Sequence, residues 1–383
     1  MKASLYWRAK RNSAKQDCYE SGETMEAATA GVTPGFVLSG LIVGAILGFI
    51  LQRGQFCMNA AIRDAVFMKD FTMFRAYLIA LVIMVVGANI LEDVGIIVLK
   101  RQTFYPLANI TGGYIFGMGM VLTEGCGSSI IYRTGEGLLS AWVAVFCFFV
   151  GIGATSNGVL SPLLASLKNE SLSLSLSGKP NVALWELIGD GPAIKWSAIS
   201  VLAVMLLFFI FRGKPFAAKK REGFPWPLTG VLVGVMGVVA FWASGLWGGG
   251  FARGLNFTTP TAELFFTVLT GNAQSRSFPM FSMGPFQTTW AALYIIGVPI
   301  GSYVSAKALN KFKWRVPGAG QLVTIMAGGV MMGFGAVLAG GCNIGQALTG
   351  FATLSVGSIV ATAAIIAGTR TMVYFKFMKP MRD

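Results

Sequence analysis

Residues 112–129 read GGYIFGMGMVLTEGCGSS, and residues 328–345 read GGVMMGFGAVLAGGCNIG. Eight of the 18 positions are identical, including both leading glycines and the pair Cys126 and Cys342. Each stretch starts as an apolar, glycine-rich helix. Glycines four apart, Gly113 and Gly117 or Gly329 and Gly333, let helices approach closely in a bilayer. Each stretch then ends in polar, flexible residues: Glu124, Gly125, Cys126, Gly127, Ser128 and Ser129, or Gly340, Gly341, Cys342, Asn343, Ile344 and Gly345. These runs interrupt the helix. Non-helical backbone at membrane depth is tolerated only where protein or a cavity covers it. Helix ends exposed there present N–H groups and a dipole that favour an anion. Two breaks at matching places point to a central pathway.

Composition agrees with a membrane setting. The chain has 383 residues, 54% apolar and 12% charged. That charged share is about half the usual soluble value. Neither a soluble globular enzyme nor a disordered chain has this balance. Histidine is absent, which excludes the Ser-His-Asp triad, the Cys-His pair and HExxH zinc sites. The formal charge is +14, but the basic residues cluster in short loops beside apolar runs, without aromatic interleaving. The positive-inside bias explains them better than nucleic acid does, and no nucleic-acid partner is expected. A basic vestibule that collects anions is the other use for them.

Nine apolar runs are long enough to cross a bilayer: about 33–51, 72–97, 112–132, 138–156, 193–211, 227–248, 286–307, 321–341 and 354–373. The expected fold is an all-α polytopic membrane protein with short re-entrant helices added. Residues 1–31 form a polar tail without a cleavable signal pattern. Residues 32–160 make a first membrane repeat. Residues 161–225 hold a loop, a linking helix and a basic cytoplasmic loop. Residues 226–375 make a second repeat, and 376–383 a basic tail. Five crossings separate equivalent positions, so the two halves of four helices are inverted. Gathering Arg53, Arg63, Arg133, Arg212, Lys307, Arg315 and Lys376 in the cytoplasm puts the N-terminus outside and the C-terminus inside.

A second matched pair is RGQFCMNAAIRDAVF from Arg53 and RGLNFTTPTAELFF from Arg253. The counterpart of Cys57 is Phe257, so the special thiols number three: Cys57, Cys126 and Cys342. A lone membrane cysteine is ordinarily a small apolar filler. Cys147, in WVAVFCFFVG, fits that, and Cys18 sits in the tail. In apolar surroundings a thiol stays protonated and is a weak, soft donor. Such donors suit a soft sulfur anion better than sulfate or phosphate. Spaced along a path, they hold an ion without trapping it. Two other chemistries stay open: a soft metal such as Cu(I), which wants clustered thiolates, and a sulfurtransferase persulfide, which wants a lowered thiol pKa. No metal or cofactor site is expected. Gly125, Gly127, Gly341 and Asn343 support the breaks. Arg53, Arg63, Glu124 and Arg133 are candidate charged pathway residues; Arg63 with Asp64, and Arg133 with Glu136, are equally placed to pair at the interface.

RGQFCMNAAIRD, GGYIFGMG…EGCGSSIIYRTGEG, GLNFTTPTAEL and GGVMMGFG…AGGCNIG together resemble the YeeE/YedE family of bacterial membrane proteins, over roughly residues 33–375. The resemblance is nearest to the YeeE branch, whose members take up thiosulfate. It implies an hourglass-shaped, pseudo-symmetric helical fold in the bacterial inner membrane. It also implies a cysteine relay on Cys57, Cys126 and Cys342 that passes thiosulfate by successive S–H···S contacts, with a separate cytoplasmic sulfur-carrier protein as partner. Some YedE members are linked to selenium use, which keeps other sulfur or selenium species in view. One departure stands out: the family's usual Gly-Gly-Cys is Glu-Gly-Cys at 124–126. An ionised Glu124 facing the path would repel a dianion, so it is expected to be neutral, paired or turned away.

Overall fold

A computed structural model describes residues 34–169, 181, 183–187, 189, 191–213, 223–247, 251–275, 280–283 and 285–381. The expected tail with Cys18, the SLSLSLSGKP stretch at 171–180 and the basic run 214–222 lie outside the described residues.

Among the described residues, nine helices are long and apolar enough to cross a membrane. In chain order the helices are α1 Pro34–Gly54, α2 Met58–Phe67, α3 Thr72–Asp93, α4 Pro106–Leu122, α5 Gly127–Thr134, α6 Leu139–Ser156, α7 Ser161–Leu167 and α8 Pro192–Phe211. There follow α9 Trp226–Trp247, α10 Thr259–Thr270, α11 Trp290–Ala308, α12 Ala319–Ala339 and α13 Val356–Val373. The helices α2, α5 and α10 are too short to cross a membrane. So is the seven-residue α7, and a further short stretch begins at Asn343 and continues as a π turn over Gly345–Gly350.

Hydropathy misplaces several ends. The helix expected to reach 97 stops at Asp93, because Gly95 turns the chain at φ +76°. The apolar residues beyond it form β1 Val98–Leu99, which pairs in parallel with β2 Phe251–Ala252. The helix expected from 112 starts one and a half turns earlier, at Pro106. Proline suits that first turn, where its missing N–H costs nothing, and the Asn109 side chain accepts the Tyr105 N–H at 3.0 Å. The same helix ends at Leu122 rather than 132. Residues 286–288 are not helical; they form β4 Phe286–Thr288, antiparallel to β3 Phe281–Met283.

The closest helix pairs join residues from opposite ends of the chain: α1 with α11, α4 with α12 and α13, α6 with α12, and α3 with α9. Glycine makes these approaches possible. A methyl on Gly44 would overlap the Tyr294 carbonyl, and one on Gly301 would overlap the Ala45 carbonyl. Gly113 and Gly117 face α13, while Gly329 and Gly333 face α6. Cys147 packs at the second of these contacts, with its Cβ 2.8 Å from where a Gly329 methyl would stand. It is a filler, as its apolar neighbours suggest.

Candidate functional site

The three thiols occupy one kind of position. Cys57 is the N-cap of α2, and Cys126 is the N-cap of α5. Cys342 immediately precedes the helical residues from Asn343. Each sits in extended or irregular backbone at the start of a short helix, where unpaired N–H groups gather. At the fourth such start, α10, the N-cap is Thr258, beside Phe257.

These starts converge. Cys57 Sγ lies 3.7 Å from Cys126 Sγ. The Cys57 thiol also donates to Ser129 Oγ at 3.4 Å, and Cys126 Sγ is 3.3 Å from Ser128 Oγ. Ser129 Oγ accepts the Cys126 backbone N–H at 2.7 Å, closing the first turn of α5 on itself. Cys342 reaches the same region at Gly127. A methyl on Gly127 would stand 3.3 Å from Cys342 Cβ and 3.7 Å from its Sγ. Cys342 therefore packs against the bare backbone of Gly127, the residue after Cys126. All three thiols are buried.

Aromatic rings and amides wall this centre. Phe56 stacks on Tyr77 with centroids 4.1 Å apart. The Tyr77 hydroxyl accepts from Asn343 Nδ2 at 3.2 Å. The oxygens Oδ1 of Asn343 and of Asn59 are buried without a hydrogen-bond partner among the described residues. Cys342 donates to Asn256 Oδ1 at 3.8 Å and accepts the Gly345 N–H at 3.5 Å. Gly125 packs against Ser129 Oγ, and Gly341 against the side chain of Gln346. A cavity of about 410 Å³ opens beyond Asn256 and is lined by Lys100, Arg253, Tyr294 and Gly345 among others. Burial and the nearby Arg253 bring the Lys100 ammonium down to about 8.

The charged candidates make their hydrogen bonds and ion pairs with groups other than the thiols. The Arg53 guanidinium sits over the rings of Phe49 and Phe224 at 5.3 and 5.6 Å. Arg63 pairs with Asp64 at 2.8 Å. Arg133 Nη1 donates to the Glu124 carbonyl at 3.1 Å, whereas Glu136 accepts from Gln52 and Gln55, each at 3.1 Å. The expected direct pairing of Arg133 with Glu136 is thus replaced by two separate sets of bonds. Glu124 is turned outward: its carboxylate pairs with Lys376 at 3.2 Å and accepts from Gln321 at 3.0 Å. The deepest ion pair, Arg253 with Glu263, lines the large cavity, and Glu263 also accepts from the Thr289 hydroxyl.

Several residues carry the geometry without having been singled out by sequence. Ser129 and Asn256 are the thiols' partners, and Tyr77 and Tyr294 wall the centre. Ser129 had a signal, three residues after Cys126 at a helix start. Asn256 had a weaker one, two residues before a capping threonine. The tyrosines had none. Lysines mark both crossing helices just before their breaks. Lys376 Nζ donates to the Val121 carbonyl at 3.3 Å, and Lys168 Nζ to the Val337 carbonyl at 2.7 Å. Val121 and Val337 are equivalent in the repeat, each five residues before its cysteine.

Residues 53–371 match the family described as Sulphur transport. The thiosulfate transporter TsuA of Escherichia coli (strain K12) is 31% identical over 363 residues, covering 90% of this chain and 96% of that protein. TsuA of Spirochaeta thermophila is 31% identical over 351 residues, covering 90% of this chain and all of that protein. The probable transporter YedE of Escherichia coli (strain K12) is 28% identical over 126 residues, 33% of this chain and 28% of its own length.

Proposed function

Since this chain belongs to the Sulphur transport family, we propose that it imports thiosulfate across the bacterial inner membrane for sulfur assimilation, handing the ion along Cys342, Cys126 and Cys57. The observation that carries this is the junction of the three thiols: Cys57 and Cys126 in contact at 3.7 Å, and Cys342 against the bare backbone of Gly127. Protonated thiols with hydroxyl or amide partners offer the terminal sulfur of thiosulfate weak donors of matched softness. The half-helix starts add a diffuse positive potential without a fixed charge that would trap a dianion. The resemblance to two TsuA proteins names the ion.

The matched packing of α1 on α11 and of α3 on α9, and of α4 on α13 and α6 on α12, supports two inverted halves around this centre. With the C-terminus in the cytoplasm, the large cavity opens outward, and Arg63, Arg133 and Lys376 lie on the cytoplasmic side. A separate sulfur-carrier protein takes the ion there. Moving a dianion inward against 100 mV costs about 4.6 kcal/mol, at roughly 2.3 per charge. Consumption inside, or a coupled ion, has to supply it.

The test is uptake of labelled thiosulfate by proteoliposomes carrying single Ala replacements at Cys57, Cys126 and Cys342. Each is expected to lose most of the flux. Normal uptake in all three eliminates the relay. A persulfide on any of these cysteines after exposure to substrate would favour sulfur transfer instead, and competition by selenium-containing analogues would widen the substrate class.

A further inference from the structure

The cavity of about 410 Å³ is lined by Asn256, Tyr294 and Gly345, and Asn256 and Gly345 both bond Cys342. Asn256 occupies the repeat position of Phe56, and Phe257 that of Cys57. Where the first half places an aromatic ring and then a thiol, the second places an amide and then a ring. The carboxamide is held from three directions. Its Oδ1 accepts the Thr258 backbone N–H at 3.0 Å, which settles which end is oxygen, and the Cys342 thiol at 3.8 Å. Its Nδ2 donates to the Thr259 hydroxyl at 3.3 Å. The thiol bond is the weak one, because S–H is a poor donor. It is also the one a better sulfur acceptor can replace.

Tyr294 supplies the second observation. It is 2% exposed and lines the cavity, yet its hydroxyl has no hydrogen-bond partner among the described residues. A buried hydroxyl left unpaired is costly, and a group of this kind facing a cavity is a donor suited to a ligand oxygen. Its ring is fixed by stacking on Trp290 and by contact with Phe257 at 5.6 Å. Lys100 brings an amine to the same wall, where Arg253 is paired with Glu263.

We propose that Asn256 and Tyr294 form a selection station for sulfur oxyanions at the floor of this cavity. Tyr294 donates to an oxygen of the sulfonyl end, and the terminal sulfur of the ion replaces Asn256 Oδ1 as acceptor of the Cys342 S–H. This deepens the thiosulfate reading and rests on it. An ion with oxygen at every corner, such as sulfate, engages Tyr294 but has no soft atom for the thiol. It enters the cavity, competes and goes no further.

The experiment is thiosulfate uptake by the full chain in proteoliposomes, with sulfate as competitor, for the parent, Tyr294→Phe, Asn256→Asp and Cys342→Ala. Sulfate is expected to inhibit the parent competitively without being carried. Tyr294→Phe keeps the ring contacts and is expected to raise the KM for thiosulfate and the inhibition constant for sulfate together, about tenfold, with little change in maximal rate. Asn256→Asp puts a fixed negative charge on the thiol's acceptor and is expected to cut the maximal rate tenfold or more. Unchanged constants in Tyr294→Phe, an unchanged rate in Asn256→Asp, or no competition by sulfate each overturn the station. If those results come while Cys342→Ala still abolishes uptake, the relay stands and the station alone falls. Uptake that persists in Cys342→Ala removes the relay itself.

Discussion

Cys57 Sγ and Cys126 Sγ stand 3.7 Å apart, each at the start of a different short helix, and both helices carry their thiol at the N-cap. A disulfide needs about 2.05 Å between sulfurs, so a modest inward shift of the two turns would join them. Mild oxidation is expected to link Cys57 to Cys126, lower the intact mass by about 2 Da through loss of two hydrogens, and stop uptake. Dithiothreitol is expected to restore it. Oxidised protein that still transports at the parent rate would show that these thiols lie off the route.

Gly127 follows Cys126 and packs against Cys342. Alanine is favoured over glycine within a helix by about 1 kcal/mol, so Gly127→Ala is expected to fold. The added methyl would press on Cys342 Cβ at 3.3 Å and stand 3.7 Å from its Sγ. Stable protein with uptake reduced at least tenfold is expected. Melting temperature in detergent, measured beside flux, separates this from misfolding.

Ser129 ties two cysteines to one turn of α5, accepting from the Cys57 thiol and from the Cys126 N–H. Ser129→Ala is expected to cost about 1 kcal/mol, the usual net worth of the hydrogen bond it would lose to the Cys126 N–H, and to weaken flux. Ser129→Thr keeps the hydroxyl and is expected to recover part of both. Equal flux in all three proteins would dismiss the hydroxyl as a partner of the relay.

Glu124 stands where the matched repeat carries Gly340, and its carboxylate faces Lys376 and Gln321. Its backbone is left-handed at φ +56°, a conformation that glycine adopts at a saving of about 1 kcal/mol. The partly exposed ion pair it would lose is worth about 0–1 kcal/mol. Glu124→Gly is therefore expected to leave both stability and uptake nearly unchanged. Loss of uptake would place the carboxylate in the ion's path.

Lys168 follows α7 and donates to the last turn of α12. Burial brings its ammonium down to about 8. Between there and the ordinary lysine value of about 10.4, the unfolded chain binds the proton that the folded chain has released. Stability therefore rises with pH across that window through this group. Melting temperature from pH 7.5 to 10 is expected to climb relative to Lys168→Met, which lacks the group. Parallel curves would remove burial as the cause.

Much of the scaffold was legible in the sequence, because hydropathy over about 20 residues reports a membrane span directly. The repeat around Cys126 and Cys342 marked the breaks, since glycine and polar residues cannot face lipid. Helix ends were less legible. Ile96, Ile97 and Val98 are as apolar as the helix before them, and only the turn at Gly95 takes the chain out of the helix towards the strand at Val98–Leu99. The partners of the thiols were harder still. Asn256 meets Cys342 across 86 residues of chain and Cys57 meets Ser129 across 72, so no local pattern announces either contact. The outward turn of Glu124 likewise depends on Lys376, 252 residues away.

The interlocking of early helices with late ones has a mechanical corollary. The carbonyls of Tyr294 and Ala45 sit where side chains on Gly44 and Gly301 would have to go, so α1 and α11 are riveted across the chain's midpoint rather than resting side by side. A carrier that rocks one half against the other would have to shear that seam on every cycle. A protein built this way is better matched to letting its cargo hop through a stationary frame, with throughput governed by the dwell of the ion at each stop and scarcely by the elasticity of the surrounding lipid.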